Sequence, residues 1–334
     1  MLNRRSMQKK LMAGAFLGMS GLPCSGVFAQ QSGSTGAYPN RPVKIIVPYA
    51  TGSQTDGNAR LIAPKLAQVL GAPIVVENRA GASGIIGSEF VARSTPDGYT
   101  LVMGTVTSHG TMISLAKNLP YKLERDFTPI GLVAAPPAFL AVHSSVPASN
   151  IKEFVAWAET QPAGVSYSSA GNGSSGHLTA ELLAMRTNTR LIQVPYNNAG
   201  QAVTDLLAGH VKMMIYYSTL LPHIRSGKLK ALAVFAEDRV DFAKEIPTAK
   251  EQGFAGMTSY GWSGLFGPGA LPGPIRDRLN AALNTALADQ SLRQQFADQG
   301  QVTMQFSPSE FQKFIAAEVD KWGEVVRVSG AKLD

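Results

Sequence analysis

Ile45-Ile46-Val47-Pro48-Tyr49-Ala50-Thr51-Gly52 is echoed later in the chain by Ile192-Gln193-Val194-Pro195-Tyr196-Asn197-Asn198-Ala199-Gly200. In each copy an apolar run ends in Val-Pro-Tyr, and a small polar turn opens the next segment. The run reads as a short strand, because β-rich residues stop at a turn cluster. A helix follows the first copy: Leu61, Ile62, Leu66, Val69 and Leu70 recur at helical spacing within Ala59 to Leu70. Further on, Ile74 to Glu77 reads as a strand, Gly84 to Ala92 as a helix and Thr100 to Thr105 as a third strand. That order predicts parallel strands with helices on the faces.

A second series surrounds the other copy. Ile151 to Glu159 reads as a helix capped by Ser149 or Asn150, and Ser174 to Met185 and Ala199 to Leu207 as two more. Val165 to Ser168, Leu191 to Tyr196, Val211 to Tyr217 and Leu229 to Phe235 read as strands. Two α/β lobes are therefore expected, each with strand-to-helix turns at the carboxyl ends of its strands, where open sheets bind ligands. The tail is helical, from Pro272 to Leu287 and again where Phe311, Phe314, Ile315, Glu318, Val319, Trp322 and Val326 mark a long amphipathic helix. Its aromatic stripe reads as core.

Composition agrees with a folded chain of two ordinary domains. Its 334 residues are 45% hydrophobic and 16% charged, with 33 Gly, 20 Pro and one Cys. The formal charge of +7 would suggest an anionic polymer or membrane, so its location matters. Arg4, Arg5, Lys9 and Lys10 form a basic, acid-free start, Leu11 to Leu22 is apolar, and Val27-Phe28-Ala29 offers a cleavage site. Residues 1–29 thus read as a signal peptide cut after Ala29, which predicts export. Adjacent Arg4-Arg5 raises a twin-arginine route, but Ser6-Met7-Gln8-Lys9 matches it poorly, and general secretion is expected. Cleavage leaves 26 basic residues against 23 acidic ones and removes Cys24, whose preceding Pro23 disfavours a lipid anchor. Residues 30–40 read as a flexible lead-in. Basic residues are not clustered with aromatics, so nucleic acid is not an expected partner.

Four turns rich in Gly, Ser, Thr and Asn stand between a strand and a helix: Thr51 to Asp56, Gly81 to Gly84, Ser169 to Gly176, and Asn197 to Gly200. The first N–H groups of each following helix lack internal partners, so such turns can bind a carboxylate through neutral donors. Tyr49 and Tyr196, beside two of these turns, are candidates for a ligand wall. Gly81-x-x-Gly84-x-x-Gly87 lacks dinucleotide spacing and no Walker sequence is present, so no cofactor is expected. His109, His143, His177, His210 and His223 show no ligand-pair spacing, and no metal is expected. His109 and His177 stand apart only in lying at strand-to-helix turns. Asp56 reads as an ordinary helix-start acid. Gly173-Ser174-Ser175-Gly176-His177 keeps a serine hydrolase using Ser174 or Ser175 open as an alternative, although G-x-S-x-G spacing is missing.

Several stretches resemble the periplasmic solute receptors of tripartite tricarboxylate transporters, often called Bug receptors. They are Tyr38-Pro39-x-Arg41-Pro42-Val43 through Tyr49, Glu77-Asn78-Arg79-Ala80-Gly81-Ala82-Ser83-Gly84-Ile85-Ile86-Gly87, Pro96 to Leu101, Tyr167 to Leu178 and Val194-Pro195-Tyr196. The likeness runs from about Tyr38 to the end. It implies a two-lobed periplasmic-binding-protein fold of type II, with parallel-rich sheets flanked by helices and a clamshell cleft. It also implies passages between lobes near 140–144 and 256–262, giving lobe 1 as 41–141 with 261–334 and lobe 2 as 142–260. No enzymatic activity is implied; a monomer would hand a small carboxylate to membrane permease subunits. By position, the ligand residues would be Ser53, Gln54 and Thr55; Asn78, Ala82 and Ser83; Thr105, Thr107 and Ser108; Ala170, Gly171 and Ser174; and Asn197, Asn198 and Ala199. Where the family commonly has Pro-Gly-Gly in the first turn this chain has Thr51-Gly52-Ser53, and Tyr217-Ser218 replaces a frequent acid. Those departures favour a plain or aromatic carboxylate, such as terephthalate, over an amino acid. A ligand sensor without a transport role fits the same residues.

Overall fold

A computed structural model describes residues 38–196 and 198–331. The expected signal peptide, Cys24, most of the lead-in and Asn197 lie outside the described residues. Among the described residues, ten strands form two five-stranded sheets. The first contains β1 (Val43–Val47), β2 (Ile74–Asn78), β3 (Thr100–Thr105), β4 (Phe127–Ala134) and β10 (Ser263–Pro268), in the order β2-β1-β3-β10-β4. The second contains β5 (Phe139–His143), β6 (Val165–Ser169), β7 (Leu191–Pro195), β8 (Met213–Tyr216) and β9 (Leu229–Val234), in the order β7-β6-β8-β5-β9. In each, three strands run parallel, and a strand contributed from across the molecule lies antiparallel between the third and the fifth.

The two sheets share one topology, and this changes the meaning of the echo. Strand β1 sits second in its sheet and corresponds to β6, whereas the echoed Ile192 segment is the edge strand β7, which corresponds to β2. The repeated Val-Pro-Tyr therefore marks two strands in different places, even though the expected pair of lobes is present.

Among the described residues, eight helices of eight residues or more pack on these sheets: α1 (Gln54–Leu70), α2 (Ile85–Ala92), α3 (Ile151–Glu159), α4 (Ser175–Thr187), α5 (Ala199–Leu207), α6 (Gly273–Ala288), α7 (Gln290–Asp298) and α8 (Pro308–Ser329). Helix α1 starts five residues before the expected Ala59, because the Ser53 side chain accepts from the Asp56 N–H and caps it. Asn150, rather than Ser149, caps α3. Strands β4, β5 and β10 carry no expectation from the sequence; Pro129 and Gly131 interrupt the first, and Gly264, Gly267 and Pro268 the last.

Val43, Ile45, Ile46 and Val47 are fully buried, as a parallel strand covered on both faces requires. One core joins β1 and β3 to Ile62, Leu66, Leu283 and Phe296, and a smaller one gathers Met214, Leu206, Leu220 and Leu229 behind the second sheet. A third runs from Ile46 and Val102 through Trp262, Phe311 and Trp322 to Phe139 and Tyr167, so the sheets are fastened by a continuous apolar seam. The chain leaves the first sheet at Ala134 and enters the second at Phe139, then returns between Val234 and Ser263. The passages run side by side: Gly261 N donates to Pro136 O at 2.9 Å, and Ala138 N to Ser259 O at 2.9 Å.

Candidate functional site

The first turn is held by a polar knot. Asp56, buried on α1, accepts from Gly52 N at 2.9 Å, from Asn78 Nδ2 at 2.9 Å and from Arg60 Nε at 3.0 Å. Asn78 Nδ2 also reaches Tyr49 O at 3.1 Å, and its Oδ1 accepts from Arg60 Nη2 at 2.9 Å. Burial pushes the Asp56 carboxyl up, but the bonds from Arg60, Gly52 and Asn78 outweigh it and leave the group below the usual carboxylate range. Both ends of the Asn78 amide are thus engaged, so it shapes the turn. Asp56 does more than begin a helix, and its partner Arg60 stands at the i+4 spacing that could have revealed the pair.

The second and third turns meet over Tyr49. Its hydroxyl lies 2.7 Å from Thr105 Oγ1 and 3.4 Å from Ser83 O. Burial raises the Tyr49 phenol, partly offset by hydrogen bonds from Thr105, Ser108 and Thr107. Gly81, Ala82, Ser83 and Gly84 all have positive φ, at 142°, 46°, 55° and 95°. For Ala82 and Ser83 this conformation costs about 1–2 kcal/mol each. Both face solvent, so the turn holds its backbone open at the surface.

Ser108 points inward instead. Its Oγ lies 3.1 Å from Thr105 N and 2.9 Å from His109 Nδ1, in the wide π-helical turn Thr107–Thr111. A chain of polar contacts therefore runs from Tyr49 through Thr105 and Ser108 to His109. The His109 ring is fully buried against Phe266 (4.4 Å between centroids) and Phe127 (4.5 Å), and its Nε2 has no partner. Burial lowers its pKa to about 3, so the imidazole is neutral.

In the second lobe, Ser169 is the organiser. Its Oγ accepts from Gln193 Nε2 at 2.8 Å and from Gly171 N at 3.3 Å, and its carbonyl accepts from Tyr196 N at 3.0 Å. This brings the turns at Ala170-Gly171 and Asn198-Ala199 together. Ser174 caps α4 by accepting from His177 N at 3.4 Å, and Asn198 caps α5 by accepting from Gln201 N at 2.9 Å. Tyr196 donates to Asp205 Oδ2 at 2.6 Å, so its hydroxyl is tied to α5 and it is not a mirror of Tyr49. Gln193 and the Ser175–Tyr217 contact, 2.5 Å between hydroxyl oxygens, carry no expectation from the sequence.

A hydrolase dyad is not assembled. His177 Nδ1 accepts from Gly173 N at 3.0 Å, and neither Ser174 nor Ser175 is hydrogen-bonded to an imidazole nitrogen. The side chains of Gln54, Thr55 and Ser83 have no hydrogen-bond partner among the described residues, which leaves amide and hydroxyl donors at the lobe 1 turns. The cation nearest to them in the bonding network, Arg60, is held by Asp56 and Asn78. A groove of about 980 Å³ lies between the lobes, bordered by Ser218, Thr219 and Arg225 on one side and Gln294, Gln299 and Gly300 on the other. Its lining does not include the donor turns.

Residues 58–331 match the family described as tripartite tricarboxylate transporter family receptor. Protein BugT of Bordetella pertussis is 36% identical over 311 residues, which span 92% of this chain and 95% of BugT. The solved periplasmic binding protein BugD is 34% identical with a TM-score of 0.70, over 88% of this chain and 99% of that one. MatC of Rhodopseudomonas palustris, solved with bound malate, is 33% identical with a TM-score of 0.69, over 86% and 100%. The chain belongs to the tripartite tricarboxylate transporter receptor family, whose members are periplasmic solute receptors and not enzymes.

Proposed function

We propose that the chain captures a small di- or tricarboxylate, aliphatic or aromatic, between its lobes and delivers it as a monomer to the membrane subunits of a tripartite transporter. The observation that carries this is the convergence, in each lobe, of turns offering neutral donors. Gln54, Thr55, Ala82 and Ser83 with the Tyr49–Thr105 pair face it in lobe 1; Ala170, Gly171, Asn198 and Ala199 face it in lobe 2. With β5 in the second sheet, lobe 1 is 41–134 with the return from about 261 onward, and lobe 2 is 139–260, a boundary slightly earlier than the 141 expected from the resemblance. Backbone N–H groups and hydroxyls hold a carboxylate without a cation because helix termini and preorganised dipoles favour negative charge. The malate held by MatC supports a dicarboxylate. Export rests on residues 1–29 acting as a signal peptide; N-terminal sequencing of the periplasmic form should begin at Gln30, and retention of Met1 would contradict it.

A ligand that binds only the folded state stabilises it by about 2.7 kcal/mol at a hundred times its Kd. Melting of the purified chain should therefore rise saturably with at least one of malate, adipate, citrate or terephthalate. No rise with any of them would contradict the reading.

A further inference from the structure

Tyr217 and Ser218, the two residues that leave β8, press on two glycines from outside the second sheet. A Cβ on Gly261, in the returning passage, would run into the Tyr217 ring. One on Gly300, just after α7, would overlap both Cβ and Oγ of Ser218. Ser218 Oγ also donates to Gln299 O at 3.0 Å, across the floor of the 980 Å³ groove. The flanking residues belong to separate cores: Leu220 packs behind the second sheet and Phe296 behind the first. Gly300 is fixed on its own side as well, because the next residue, Gln301, exchanges hydrogen bonds with buried Asn58 of α1 at 2.8 and 3.0 Å. Gly300 also has a φ of 69°, which glycine adopts freely.

We propose that Ser218 and Gly300 form the stop against which the lobes close, making Gly300 a positioning residue for ligand capture that touches no ligand. A methyl group there overlaps the Ser218 Cβ as well as its Oγ, so rotating the hydroxyl does not relieve the contact and the backbones must part. Enlarging either residue holds the lobes apart. The consequence for affinity rests on the receptor reading above; the geometry of the stop does not.

Lobe separation can be read by electron–electron distance measurement on the full chain carrying Cys24→Ser, with spin labels at Glu159→Cys on α3 and Asp277→Cys on α6, both exposed positions. Gly300→Ala should shift the distribution to distances the parent does not populate, and adding Ser218→Gly should restore it. Strain at φ alone would not be relieved by that second change. Ser218→Val tests the same contact with no demand on φ and should shift the distances in the same direction. If nine molecules in ten are held apart, apparent affinity for malate falls about tenfold. An unchanged distribution in Ser218→Val, or a shift in Gly300→Ala that Ser218→Gly leaves in place, would overturn the proposal. A restored shift with no malate response in any variant would support the stop and count against malate as the ligand.

Discussion

His109 shows how burial fixes the role of a side chain that the sequence places at a strand-to-helix turn. It stands after a strand, where a ligand contact is expected, yet the π-helical turn swings its ring into an aromatic cage. Its folded pKa of about 3 lies well below the ordinary 6.5, so the unfolded chain binds the extra proton between those values. Its contribution is fully present above pH 6.5 and is lost as pH falls toward 3, at up to ~1.4 kcal/mol per pH unit. Denaturant unfolding across that range should flatten in His109→Phe, and an unchanged pH profile would contradict the burial argument. Asp56 works at lower pH: its depressed carboxyl contributes stability above about pH 4 that disappears below it. Asp56→Ala leaves Gly52 N–H and Arg60 Nε without their acceptor and removes one of the two that Asn78 Nδ2 uses. A loss of about 1–3 kcal/mol is expected, together with weaker ligand binding because the first turn is no longer held. Calorimetric melting and titration together check both parts.

Among the elements, those with clean periodicity were legible. Helices α1, α3, α5 and α8 announce themselves by apolar spacing, and β1 to β3 by β-rich runs ended by turns. Strands β4, β5 and β10 were not: Pro129 and Gly131 interrupt β4, Gly264, Gly267 and Pro268 interrupt β10, and β5 is a short apolar run directly behind Pro136-Pro137. Phe139–His143 is a strand of the second sheet, so the passage lies at 135–138, ahead of the expected 140–144. The donor turns were visible as compositions, but which atoms are free could not be read from them. Asn78 and Ser108 have the right chemistry and spend it on protein partners, whereas Ser174 accepts a cap bond and keeps its O–H to donate. Helix α8 contains the other element that only packing reveals: Trp262 Nε1 and Trp322 Nε1 each donate to Glu318 Oε2 at 3.0 Å, while Lys321 bridges Glu318 and Thr258 O. Glu318→Ala leaves two buried indole N–H groups unpaired and the Lys321 ammonium without its carboxylate beside the returning passage, and about 3–5 kcal/mol of stability should be lost. A denaturant midpoint within error of the parent would contradict that role. In the second turn, Ala82→Gly and Ser83→Gly should relieve strain and raise stability slightly, while loosening the donors and weakening binding. Titration and melting would then move in opposite directions.

At the scale of the molecule, two sheets of identical strand order are joined by paired passages and an apolar seam, leaving turns of matched chemistry on each lobe. The near-neutral balance expected after removal of residues 1–29 means that capture depends on dipoles and hydroxyls more than on net charge. Binding should accordingly respond weakly to moderate salt, because long-range attraction between free charges is what salt screens. The most direct measurement is a calorimetric titration of the purified chain with malate, adipate, citrate and terephthalate, each beside its fully methylated ester. One-site saturable binding of at least one free acid, with no binding of its ester, is the predicted result. An ester that binds as well as its acid, or no heat from any of the acids, would contradict a receptor whose turns are built to hold a carboxylate.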